Sequence, residues 1–215
     1  MEKKIKIRDP INALTHFLGF LISIPILVIL VTKAYEEATI FHVVSLAIFG
    51  VALILLYGAS TLYHALDLSE EKVRLMKKID HMMIFILIAG SYTPICLVPL
   101  RGKWGWSILI AVWAFALIGI VIKALWINAP RWLSTAIYVL MGWFVLIAFL
   151  PLEKAVPAGG IALLVAGGVT YTLGAVIYAL KPKINLKFFG FHEIFHIFVL
   201  GGSAFHIAFM FNYIL

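Results

Sequence analysis

Ser60 and His64 stand four residues apart, His192 and His196 repeat that spacing, and Asp80-His81 forms a third polar pair in an otherwise apolar stretch. On a helix, residues i and i+4 project from one face. Two histidines from one helix and a third from another would supply three neutral imidazoles. That donor set suits zinc and leaves one tetrahedral position open, as catalytic zinc sites do. Asp80 and Ser60 would stand behind the ligands, to orient one of them or to hold and deprotonate a water. Cys96 is the only cysteine, which excludes an internal disulfide and a thiolate metal cluster.

Residues 192–196 also read H-E-x-x-H, the pattern in which a glutamate serves two zinc-binding histidines as general base. A protease of that type needs an acidic third ligand, for which Asp80 is the candidate. Glu193 projects about 100° around the helix from His192, so an interfacial carboxylate accounts for it equally well. The remaining histidines fit the constellation less well. His206 follows His192 by fourteen residues, about 21 Å along a helix, too far to share an ion. His42 lies at the opposite end of its helix, and His81 points to a different face from Asp80. His16, preceded by Asp9, Asn12 and Thr15, is placed to support a ligand from behind.

The elements that must position these residues are membrane spans. Apolar residues make up 64% of the 215 and charged residues 13%, which is outside the soluble range. A soluble core of this size could not hide so much apolar surface, so the excess faces lipid. Apolar runs at about 11–32, 40–64, 79–99, 105–126, 132–150, 159–180 and 190–214 are each long enough to cross a bilayer. The expected fold is all-α: one integral membrane domain over 1–215, a bundle of seven transmembrane helices. The charged stretch 69–78 reads as an interfacial lead-in to the third span. Helix 6 carries Gly160, Gly167, Gly168 and Gly174, which would let its neighbours approach closely.

The formal charge of +7 comes from loop residues, which reads as topology and headgroup contact rather than nucleic-acid binding. Lys3, Lys4, Lys6, Arg8, Lys72, Arg74, Lys77, Lys78, Lys123, Arg131, Lys181, Lys183 and Lys187 fall on one side, and only Lys33, Arg101, Lys103 and Lys154 on the other. That asymmetry predicts a cytoplasmic N-terminus and an external C-terminus. It also brings His64, Asp80, His192 and His196 to one depth, near the inner leaflet. The outer halves of the spans are too apolar to line a pore.

Ser60-x-x-x-His64, the Asp80–Pro94 stretch (Asp-His-Met-Met-Ile-Phe-Ile-Leu-Ile-Ala-Gly-Ser-Tyr-Thr-Pro) and His192-x-x-x-His196 together resemble the signature of the hemolysin III proteins, the bacterial branch of the progestin and adipoQ receptor family. The resemblance runs from Asp9-Pro10 through the last span. It implies seven helices, a cytoplasmic N-terminus, a bacterial inner-membrane location, and a zinc ion held at His64, His192 and His196. Asp80 and Ser60 match the family positions beside the zinc-bound water. The wider superfamily includes alkaline ceramidases, which implies hydrolysis of a lipid amide. The functional expectation is therefore a zinc-dependent hydrolase of lipid amide or ester bonds, with membrane lipid as substrate or ligand. The alternative is a non-enzymatic membrane regulator or sensor, or a cytolytic protein, with structural zinc.

Overall fold

A chain that enters hydrocarbon must satisfy its backbone polar groups internally, and this chain does so with helices alone among its described residues. The structure, a computed structural model, describes residues 7–126, 130–184 and 189–215. Seven helices are long and apolar enough to cross a membrane: α1 (Pro10–Glu37), α2 (Ile40–Ala65), α3 (Glu70–Leu97), α4 (Lys103–Leu125), α5 (Arg131–Ala155), α6 (Ala158–Leu180) and α7 (Phe191–Ile214). Of the residues behind the expected orientation, Lys3, Lys4, Lys6 and Lys187 lie outside the described residues.

Each helix packs on its neighbours in sequence, and α1 meets α7 to close a ring. The burial pattern is that of a lipid-facing bundle. Leu125, Leu140 and Leu180 are exposed on the outside, whereas Asn12, His16, Ser60, His64, Lys123 and His196 are buried. Small residues let the helices close up, as expected for α6. A Cβ on Gly167 would strike the His206 ring, and one on Gly174 would strike Phe198. Gly119 of α4 leaves the space that the Phe85 ring of α3 fills.

Two boundaries differ from the sequence reading. The charged stretch 69–78 leads into the third span as helix, because α3 runs unbroken from Glu70. A helix of 28 residues is about 42 Å long against a hydrocarbon core of about 30 Å, so its charged first turns extend beyond the apolar slab. Apolarity marks where lipid stops; it does not mark where the helix stops. The second difference is in α5. Its α-helical first part ends at Gly142, a 3₁₀ stretch covers Phe144–Ala148, and α-helix resumes over Phe149–Ala155.

That break occurs inside an apolar span, where unpaired backbone groups are costly. Tyr92 of α3 resolves it. Its buried hydroxyl donates towards the Gly142 carbonyl (2.6 Å) and the Met141 carbonyl (3.1 Å), and accepts the Val145 N–H at 2.9 Å. Trp143, at the break itself, donates its indole N–H to Thr172 of α6 at 2.9 Å. Replacing Tyr92 with Phe should therefore destabilise the bundle by about 1–3 kcal/mol, the usual cost of unsatisfied buried polar groups. Thermal unfolding in detergent measures this, and an unchanged midpoint would show that the break is satisfied some other way.

Candidate metal centre

His64 lies in the last turn of α2, while His192 and His196 face inward one turn apart at the start of α7. Ring closure brings these two helix ends together. One ligand nitrogen from each of the three imidazoles can be chosen so that all lie within 4.8 Å of one another. The Nε2 atoms of His64 and His192 are 3.3 Å apart. Two nitrogens bound tetrahedrally at 2.0–2.1 Å from one zinc would be separated by about 3.3 Å. The donor set therefore fits a divalent ion in both chemistry and spacing.

The surroundings decide which nitrogen each ring presents. Nδ1 of His64 lies 3.0 Å from the Asp9 carboxylate, which can only accept, so the proton sits on Nδ1 and the Nε2 lone pair is free. On the far side of the centre, the Thr15 hydroxyl donates to the Asn12 carbonyl at 3.0 Å. Its oxygen is left to accept from Nδ1 of His196 at 3.3 Å, which again frees Nε2. A carboxylate or hydroxyl behind a histidine in this way fixes its tautomer and raises its basicity as a ligand.

Asp9 was not singled out by the sequence as a partner of His64, and it is central here. Its backbone N–H donates to the His64 carbonyl at 2.9 Å, so the lead-in to α1 also satisfies one of the orphan carbonyls ending α2. Burial pushes its carboxyl pKa up, but hydrogen bonds from His64 and Arg8, with their charges, outweigh this and hold it below the usual carboxylate value. The signal was present in the order of elements. An acid immediately before a proline-initiated first helix must lie at the same membrane face as the end of α2.

The other expected residues divide clearly. Ser60 and Asp80 line a cavity of about 220 Å³ whose wall includes His192 and His196. Glu193 has both oxygens engaged elsewhere. One accepts the Gly190 N–H at 2.8 Å to cap α7, and the other accepts from the Asn12 amide at 2.7 Å. His16 lies parallel to His196, with ring centroids 3.6 Å apart, and forms a wall of the site. His81, expected to point elsewhere, lines the same cavity as Asp80. His206 also borders that cavity but is not in the group of three. His42 bonds Thr39 at the start of α2.

The profile of a family described as Haemolysin-III related matches residues 5–207. The chain belongs to the hemolysin III family. A hemolysin-3 homolog of Bacillus subtilis (strain 168) is 44% identical over 90% of this chain and 88% of its own, and hemolysin-3 of Bacillus cereus is 40% identical over 90% and 85%. The human monocyte to macrophage differentiation factor is more distant, at 26% over 78% of this chain and 69% of its own. Membership in the hemolysin III family and seven apolar helices make this a multi-pass membrane protein.

Metal analysis of the purified protein tests the centre. Close to one divalent ion per chain is expected, with His64→Ala, His192→Ala and His196→Ala each losing most of it and His42→Ala none. Asp9→Asn should keep the ion but bind it about 10–100-fold more weakly, the usual cost of losing the partner behind a histidine ligand. Equal loss in His42→Ala would place the ion elsewhere.

Proposed function

We propose that this hemolysin III protein is a zinc-dependent hydrolase of lipid amide or ester bonds, with its site at the inner leaflet. The observation that supports this most is the wall shared by the histidines and the cavity. His192 and His196 border a largely apolar hollow that also holds Ser60 and Asp80, with Leu56, Ile84, Leu87 and Ile88 around it. Three protein ligands leave a coordination position open, as in catalytic rather than structural zinc sites. Zinc held by His64, His192 and His196 would supply Lewis acidity, which polarises a carbonyl and makes water easier to deprotonate.

This chain's own residues would do the rest. The Asp80 carboxylate takes a proton from the attacking water as the new C–O bond forms at the scissile carbonyl. It returns that proton to the departing nitrogen or oxygen as the C–N or C–O bond breaks, which balances the hydrolysis. The Ser60 hydroxyl donates a hydrogen bond that holds the water or the developing oxyanion. Apolar walls keep bulk water out and accept the hydrocarbon part of the substrate.

A structural metal in a non-enzymatic regulator or a cytolytic protein is the second reading. Its support is that the three histidines join α2 to α7 where the ring closes. The two readings separate at Asp80. Asp80→Asn should retain the metal and abolish release of fatty acid from a panel of lipid amides and esters, because an amide cannot take the proton. Ser60→Ala should retain metal and slow turnover by about 1–3 kcal/mol of one polar contact. Glu193→Gln should leave turnover in place. Activity unaffected in Asp80→Asn would remove Asp80 from the proposed role, and activity absent from the wild type on every lipid tried would leave the structural reading.

The inner-leaflet assignment rests on the Lys and Arg asymmetry alone and has its own test. Reporter domains fused after residues 72 and 185 should be cytoplasmic, and those after 35 and 155 external. A cytoplasmic C-terminus would overturn it.

A further inference from the structure

Three basic side chains gather at the histidine end of the bundle with no salt bridge to an acid among the described residues. Lys77 of α3, Lys123 of α4 and Arg131 of α5 all line the cavity that holds Asp80, and Lys77 and Arg131 also border a second hollow of about 370 Å³ beside His64 and His192. Like charges brought together are costly unless an anion joins them, the more so where one of them, Lys123, is buried.

The usual reason for a lysine at the end of a span is that its amine reaches out to the headgroups. Lys123 does the opposite. It is 4% exposed, and its amine turns inward to donate to the Ser134 hydroxyl. The Arg131 guanidinium lies 5.3 Å from the Tyr178 ring centre, and its Nη1 is buried with no hydrogen-bond partner among the described residues. The acids nearby are already committed. Asp9 holds Arg8 and His64, and Glu193 holds Gly190 and Asn12. Asp80 is the one acid lining the cavity among the described residues, and a single carboxylate does not balance three cations.

We propose that Lys77, Lys123 and Arg131 form a binding site for the phosphate headgroup of a lipid whose chain extends into the adjoining apolar cavity. Two lysines and an arginine present many N–H donors, and phosphate accepts them from several directions at once. A free anion would need only the basic mouth. The hollow behind it, walled by Ile84, Leu87, Ile88 and Leu146, suits a hydrocarbon chain attached to that anion. This is a statement about binding and does not depend on the hydrolase reading.

The test uses full-length protein in dodecylmaltoside micelles and two ether-linked probes, 1-O-hexadecylglycerol-3-phosphate and 1-O-hexadecylglycerol. They share a chain and lack a bond that the proposed hydrolysis would cleave, so failure of catalysis leaves the result unaffected. Native mass spectrometry should show the phosphate probe binding about tenfold or more tightly than the neutral one. Lys123→Met and Arg131→Gln should erase that preference, and Lys123→Arg should keep it. Inorganic phosphate alone should bind far more weakly than the phosphate probe. Equal binding of the two probes, a preference that survives Lys123→Met and Arg131→Gln, or free phosphate binding as tightly as the lipid would each overturn the proposal.

Discussion

A buried imidazole nitrogen needs a partner, and at the histidine centre nitrogens of three rings gather within reach of one another. Such a cluster is favoured where a ring's outer nitrogen is anchored, as those of His64 and His196 are, and its inner lone pair has something to share. The architecture follows from meeting both needs. Asp9 anchors His64 from the lead-in to α1, and Thr15 anchors His196 from the next turn of the same helix. These two contacts require α1 to lie between α2 and α7, which is where the ring closes. α1 and its lead-in supply none of the three histidines and yet hold two of them in place.

The cavity beside the centre follows from the same arrangement. With α1, α2 and α7 drawn together at one end, α3 contributes Asp80 and α5 completes the wall with Tyr138 and Val139. The break in α5 lies along this wall, and Tyr92 supplies from α3 the hydrogen bonds that the helix gives up there. The hollow is thus bounded on one side by a helix that does not satisfy all of its own backbone, a tolerance that membrane proteins show where irregular backbone lines a cavity.

Much of this was legible in the sequence, because a bilayer imposes length and apolarity so strictly. The seven spans and the convergence of His64, Asp80, His192 and His196 at one end follow from hydropathy and i, i+4 spacing. What escaped depends on contacts between distant residues. Asp9 carries no motif, and its role arises from topology. Glu193, which the H-E-x-x-H pattern offers as a general base, has its two oxygens bonded to Gly190 and Asn12. Lys77, Lys123 and Arg131 read as topology signals, since a charge count cannot show that a buried amine has turned inward. α3 begins ahead of its apolar run because hydropathy reports the solvent, whereas helix continuity depends on local backbone bonds.

The spacing of the ligands along the chain also orders events in time. Asp9 and His64 leave the ribosome early, 55 residues apart, and the first helical hairpin can bring them together as soon as it inserts. His192 follows His64 by 128 residues and arrives with the final span. Throughout synthesis the chain carries one prepared ligand with nothing to share an ion with. A nascent or truncated chain lacking α7 has no such centre, and a completed one gains it in the same step that closes the ring. The histidine cluster therefore marks the difference between a partly made and a finished molecule.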